Sequence, residues 1–387
     1  MAHRNPFEYG RELSLEELVD RQEELRELEA TIRNRGKLFL IGPRRFGKTS
    51  LLSAAAERAT RAGTLVLRLD AEKYESLELL AAAILTNAAR ALAGPLEKAI
   101  RLIQKVASRL EPRVTMEGES VSVRLGISPG SGDPLPVLTE ALDAVERLAQ
   151  ESGRDVVVIL DEVQQIVVEH GLAAERQLRS TVQQHRRVGY IFAGSATRLL
   201  AEMTNDPNRP FYRLGSRLFL GLVPRPEFEI FLSRGFADHD MVLTPEACSR
   251  ILELAEEVPY NVQRLAHETW EMAQESRPDA AGTSVGPESV ERALERIVRR
   301  EDPAYTQAWT TLTSNRKKAL KAVIQGGGTG LLAAHALRQS GLSASSLKLA
   351  LTDLEKAHLV RREQAGGDSR YRLVDPFFAA WLRVFQS

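Results

Sequence analysis

A single cysteine, Cys248, stands in 387 residues, so the chain cannot close an internal disulfide or build a cysteine zinc cluster. Its expected place is a helix, as a small buried hydrophobe. Aromatic residues are only 6% of the chain, and no apolar run approaches the ~20 residues of a membrane-spanning helix. Net charge is missing as well. Lys and Arg number 52 and Asp and Glu 52, which removes any whole-chain electrostatic case for nucleic acid. The opening Met1-Ala2-His3-Arg4-Asn5-Pro6 has no apolar segment, so no signal peptide is expected and a cytoplasmic location is. Repeats and long low-complexity tracts are absent too.

The composition that remains, 43% hydrophobic and 27% charged, is that of a soluble globular protein with room for two or three domains. Within it, Leu38-Phe39-Leu40-Ile41 reads as a short buried strand and runs into Gly42-Pro43-Arg44-Arg45-Phe46-Gly47-Lys48-Thr49-Ser50, followed by an apolar helix from Leu51. This is G-x-x-x-x-G-K-T. Its glycines let the backbone curl so that successive N–H groups face an anion, and the helix N-terminus adds partial positive charge. Lys48 is expected to reach the β- and γ-phosphates and Thr49 to ligate Mg²⁺.

A second motif is Asp155-Val156-Val157-Val158-Ile159-Leu160-Asp161-Glu162, an apolar strand ending in two carboxylates. Such a run suits a central parallel strand, whose C-terminal end is where open α/β sheets bind ligands. Asp161 is expected to hold Mg²⁺, and Glu162 to polarise the attacking water. The alternative is an acidic first turn capping the next helix. A third strand, Val188 to Ser195, ends in that small polar residue, either a γ-phosphate sensor or the N-cap of a helix from Ala196. This order of motifs favours an ATP-hydrolysing machine over a small-molecule kinase.

Elsewhere the periodicity predicts an amphipathic helix from about Leu13 to Ile32, a strand at 64–70, helices at 77–92 and 96–110, and a hairpin between Val114 and Ile127. A loop spans Ser128 to Pro134, and a helix 135–150. From Pro224 the texture is helical, with a break at Pro259-Tyr260-Asn261 and a loop at Ala280–Pro287. The tail differs again. Helices at 314–324, 331–339 and 343–357, then a strand–turn–strand through 359–374, give a winged-helix outline. From Leu312 onward 12 Lys and Arg face 5 Asp and Glu, an electrostatic footprint for double-stranded DNA. A solvated face, or a module for protein docking or nucleotide capping, is the alternative.

With these pieces assembled, nearly the whole chain resembles the archaeal-type ATPase family, a branch near the AAA+ and STAND ATPases that also occurs in bacteria. The resemblance rests on Asn5-Pro6-Phe7 with Gly10, Leu18-Val19-Asp20-Arg21 with Glu24-Leu25, the phosphate loop, and Leu160-Asp161-Glu162. It continues through Ala193-Gly194-Ser195, Arg209-Pro210-Phe211-Tyr212, and Tyr371 to Phe378 with Trp381-Leu382-Arg383. It implies an AAA+-like P-loop NTPase of α/β class: an N-terminal arm and helix (1–35), an ATPase core (36–223), a helical lid (224–311) and a winged helix (312–387). It further implies that Val19 and Arg21 line the adenine pocket, with Pro259 of the lid nearby. The family often has Gly two residues before that proline, where this chain has Glu257.

Related ATPases complete the site with an arginine from a neighbouring subunit, for which Arg213 and Arg217 are candidates, or from the lid, for which Arg264 is. Ordinary surface or ion-pair arginine is the alternative for each. The resulting expectation is a slow, Mg²⁺-dependent ATPase acting as a switch, with DNA, a second copy or a protein effector as partner and no membrane.

Overall fold

The computed structural model describes residues 4–12, 18–93, 110–117, 120–127, 135–276, 282–365 and 368–385. The expected helix at 96–110, up to Leu110, and the loop from Ser128 lie outside them. The chain divides into two compact units, Glu12–Gly221 and a second made of Met1–Arg11 with Leu222–Ser387.

The first unit is built on five strands: β1 (Lys37–Ile41), β2 (Leu65–Asp70), β5 (Val156–Asp161), β6 (Val188–Gly194) and β7 (Ser216–Phe219), with β3 (Leu110–Glu117) and β4 (Ser120–Ile127) forming the expected antiparallel hairpin. The five run in the order β2-β5-β6-β1-β7, every neighbouring pair parallel. All residues of β5 and β6 are buried, as strands covered on both faces must be. Along one face Phe39, Val158, Leu160, Tyr190 and Phe192 join a core with helices Leu77–Ala93, Leu135–Ser152 and Gln164–Gln184. Phe39 stacks on Phe192 at 5.1 Å between centroids, and Phe211 closes against both. The alternate residues Leu38, Leu40, Val157, Ile159 and Ile191 are equally buried. This arrangement brings the C-terminal ends of β1, β5 and β6 side by side, with β6 between the other two.

One expectation needs correction here, and one strand had no counterpart among the expectations. The first helix, α1, spans Gln22–Arg33 and does not begin near Leu13; residues 13–17 lie outside the described set. Asp20 and Arg21 have φ of 55° and 72°, and left-handed residues cannot continue a right-handed helix. The apolar stripe Leu25, Leu28 and Ile32 is buried as expected. Likewise β7 was not foreseen: its residues are mostly exposed, so it lacks an apolar run.

In the second unit the arm around Phe7 packs with the helical segment. Phe7 is fully buried, its ring 5.6 Å from Phe231 and 5.1 Å from Phe236. Gly235 makes the space, since a Cβ there would lie 2.6 Å from the Phe7 ring. The segment 1–35 is thus divided between the two units. Helices Arg225–Ala237, Pro245–Leu254, Pro259–Ser276 and Pro287–Thr310 follow, with a short parallel pair, β8 (Met241–Leu243) and β9 (Thr283–Val285), the latter inside the stretch expected to be loop. Cys248 is buried on its helix, and burial pushes its thiol up to about 11.

Beyond lie helices Ser314–Gln325, Ala334–Ser340 and Ala344–Lys356, the hairpin β10 (Val360–Ala365) and β11 (Asp368–Leu373), and helix Pro376–Phe385. Helix Pro287–Thr310 reaches into this part: the Trp381 indole donates to Asp302 at 2.7 Å, and the Tyr305 ring lies 5.1 Å from Phe378.

Candidate nucleotide site

Strand β1 ends at Ile41 and helix Lys48–Arg61 begins seven residues later. Between them the chain turns with Arg45 at φ 71° and Gly47 at φ 88°. No side chain caps the helix at Gly47, so its first N–H groups point out toward an anion. Gly42 permits the tight exit from the sheet, because a Cβ there would meet that of Leu220 at 2.8 Å. Lys48 is 5% exposed and folds back over the loop, donating to the carbonyls of Gly42 at 2.8 Å and Pro43 at 3.1 Å. Burial lowers its pKa, opposed by the charges of Glu162 and Asp161. Thr49 is exposed in the first turn, while Phe46 and Ser50 are buried.

The acidic pair faces this loop. Asp161 is 6% exposed, and its Oδ1 accepts the Glu162 N–H at 3.0 Å. Burial first, and then the neighbouring Glu162 charge, raise its pKa; Lys48 works the other way. Glu162 adopts φ 50°. Its Oε2 accepts from the Gln164 amide, from the Ser195 N–H at 3.1 Å and from the Ser195 hydroxyl at 2.9 Å. Burial works to raise its pKa, yet these donors and Lys48 together hold it below the usual carboxylate range. The Ser195 hydroxyl also lies 3.5 Å from Arg44 Nε, and Arg44 Nη2 pairs with Glu72 at 3.1 Å. The phosphate loop, the end of β6 and the acidic strand are therefore joined through side chains.

Of the residues tied to adenine by resemblance, Arg21 is 5% exposed and structural in its contacts. It donates to Glu24 at 2.7 Å, to the Gly221 carbonyl at 2.6 Å and to the Phe46 carbonyl at 3.5 Å. Val19 is half-buried beside it. Pro259 opens its helix in the second unit. Among the arginines, Arg213 is exposed at φ 55° with its guanidinium 5.0 Å from the Tyr212 ring centre, and Arg217 is exposed on β7. Arg264 is 11% exposed and paired with Glu301, over the Phe377 ring. Its charge is already used within its own unit.

Residues 18–188 match the family model described as "ATPase domain predominantly from Archaea", and residues 303–384 match that of a "Probable winged helix domain". The nucleotide-site segment belongs to this archaeal-type ATPase family. A winged helix follows it. The fold is shared with a Walker-type ATPase of Pyrococcus abyssi, at a TM-score of 0.64 and 20% identity over 98% of this chain and 99% of that one. It is shared with the Aeropyrum pernix ORC2 protein, solved as ADPNP–ADP complexes, at 0.55 and 16% over 100% and 99%. The ORC1 protein of the same organism, solved in complex with DNA, gives 0.50 and 17% over 95% and 93%. At such identities the likeness is one of fold. No curated protein matches the sequence. No helix among the described residues of this chain is long and apolar enough to cross a membrane.

Gln164 is the site residue that sequence reasoning missed. The available signal was the amide pair Gln164-Gln165 between Val163 and Ile166, beginning two residues beyond Glu162.

Proposed function

We propose that the chain is a Mg²⁺-dependent ATPase that acts as a switch, its nucleotide state passed to a winged helix that contacts double-stranded DNA. The observation that carries the reading is one cluster in which uncapped helix amides and Lys48 stand with Asp161 and an ionised Glu162. The amides of Arg44 to Ser50 and the Lys48 ammonium neutralise the triphosphate, Glu162 takes a proton from water, and Ser195 links Arg44 to Glu162 and reads the γ-phosphate.

The residues present fit a Mg²⁺ ion. Among the described residues no cluster of three His, Cys, Asp or Glu could hold a metal by itself. A P-loop Mg²⁺ needs none, since it takes a hydroxyl, one carboxylate, waters and nucleotide oxygens. Thr49 and Asp161 would hold it, and it would offset charge on the transferring phosphoryl group. Arg213, exposed beside Tyr212, is the candidate to complete a neighbouring copy's site.

Calorimetry with ATP and Mg²⁺, paired with phosphate release, tests the reading. Saturable binding with slow release is expected; no binding would end it. A second reading, a signalling ATPase whose winged helix docks a protein, draws support from Leu349, 65% exposed on the outer face of helix Ala344–Lys356. DNA titrated against salt separates the two, because a phosphate-contacting surface must lose affinity as salt rises.

A further inference from the structure

Three donors converge on one oxygen of Glu162. They are the Gln164 amide and the Ser195 N–H and hydroxyl, all directed at Oε2. The other oxygen, Oε1, takes no hydrogen bond among the described residues. A carboxylate anchored through one oxygen and open at the other has a fixed orientation and one free accepting oxygen. That is the geometry a base needs before substrate arrives.

Gln164 is fitted to this task from two sides. Its side chain is 4% exposed, and its own carbonyl oxygen is buried without a hydrogen-bond partner. Turning the amide over would place that oxygen against the Glu162 carboxylate, so the bond to Glu162 sets which way it faces. Space for the amide comes from Gly194, where a Cβ would lie 2.0 Å from Gln164 Oε1. The glycine before Ser195 thus clears room for the amide that holds the acid on the adjacent strand.

We infer that Gln164 is a positioning residue for hydrolysis: it pins Oε2 of Glu162 so that Oε1 receives the proton of the attacking water. This rests on the ATPase reading above. As the water oxygen bonds to the γ-phosphorus, the bond to the β,γ-bridging oxygen breaks and ADP leaves with that electron pair. The proton held on Oε1 then passes to the released phosphate or to solvent, and the carboxylate is restored.

The test uses the full chain with ATP and Mg²⁺, following binding by calorimetry and phosphate release in single turnovers. Gln164→Met keeps the length and loses the donor. Its kcat is expected to fall about 10- to 100-fold, the scale of a misplaced reacting group, with ATP affinity little changed. Gln164→Glu, nearly isosteric, should fall at least as far if Gln164→Met folds poorly, and Gly194→Ala should mimic both by displacing the amide. In a Glu162→Gln background, Gln164→Met should cost nothing further, because the group it positions is gone. Turnover within about twofold of wild type in both Gln164 variants, or an equal loss in the Glu162→Gln background, would overturn the inference alone. Wild-type protein that binds ATP and releases no phosphate would overturn the hydrolysis reading and this inference with it.

Discussion

Arg361 of the wing donates to Glu256 at 3.0 Å, and Arg372 reaches the same carboxylate oxygen at 3.3 Å. Both arginines also pair with Glu363. The wing is therefore pinned to the turn just ahead of Pro259. With side-chain exposures of 9% and 23%, the Arg361–Glu256 pair is largely buried. Removing one partner of such a pair strands the other. Arg361→Ala should cost about 2–3 kcal/mol, somewhat below the value for full burial. Arg316→Ala, whose pair with Asp353 is 36% and 30% exposed, should cost less than about 1 kcal/mol. Amide exchange across β10 and β11 measures both; equal effects would contradict the argument.

Glu256 and Glu257 have φ of 51° and 55°. Glu257 stands where the related family often has glycine, and its backbone takes the conformation glycine prefers. The left-handed region costs a side-chain-bearing residue about 1–2 kcal/mol. The exposed pair of Glu257 with Arg225, at 3.2 Å, returns less than that. Glu257→Gly should therefore raise stability by about 0.5–1 kcal/mol, and Glu257→Val should lower it. Urea titration decides the sign.

Binding and turnover should separate at the nucleotide site. Glu162→Gln keeps shape and volume but removes the base. Phosphate release should fall by about 10²- to 10⁴-fold while ATP still binds. Lys48→Met should instead weaken ATP binding by about 10- to 100-fold, the worth of a charge-assisted hydrogen bond. Unchanged turnover in Glu162→Gln would remove Glu162 from its assigned role.

Much of this site is a local property of the chain. Gly42 to Ser50 fold into an anion loop because glycine positions, strand and helix are consecutive. Asp161 and Glu162 reach the same place because an apolar strand puts its polar end at the sheet's C-terminal edge. Ser195 follows from β6 lying between those two strands. What could not be read depends on distance or on a single backbone angle. Arg21 meets the carbonyl of Gly221, and Arg361 meets Glu256, only after folding. Gln164 reaches Glu162 because that residue adopts φ 50°. The helix expected from Leu13 failed for a similar reason: apolar spacing runs on through Asp20 and Arg21, where the backbone turns left-handed.

Acid should loosen the far end of β6. The buried Glu146 carboxylate accepts the N–H groups of Arg186, Arg187 and Val188 at 3.0–3.1 Å and the Gln150 amide at 2.8 Å. Burial pushes its pKa up, but these donors and His185 bring it below the ordinary value of 4.5. A depressed carboxyl pKa contributes stability above 4.5 that is lost as pH falls through the folded value. Glu146→Gln should therefore be less stable than wild type at pH 7, and the gap should close below pH 4.5. A gap that persists unchanged at pH 3 would mean packing, not charge, holds this strand.

The DNA reading makes the most exposed claim. Arg361 and Arg372 belong to the ion network with Glu256 and Glu363, and Arg316 is paired with Asp353, so the positive charge of the tail exceeds what DNA could meet. On helix Ala344–Lys356, Leu347, Ala350, Leu351 and Leu354 face inward, while Lys348, Leu349, Thr352 and Lys356 are exposed. If this face lies along a duplex, Lys348 and Lys356 meet phosphates. Lys348→Ala and Lys356→Ala should each weaken binding uniformly across sequences and reduce the slope of log affinity against log salt by about 1. Leu349→Ser should leave that slope unchanged. Binding that ignores both lysines but is lost with Leu349→Ser would assign the helix to a protein partner instead.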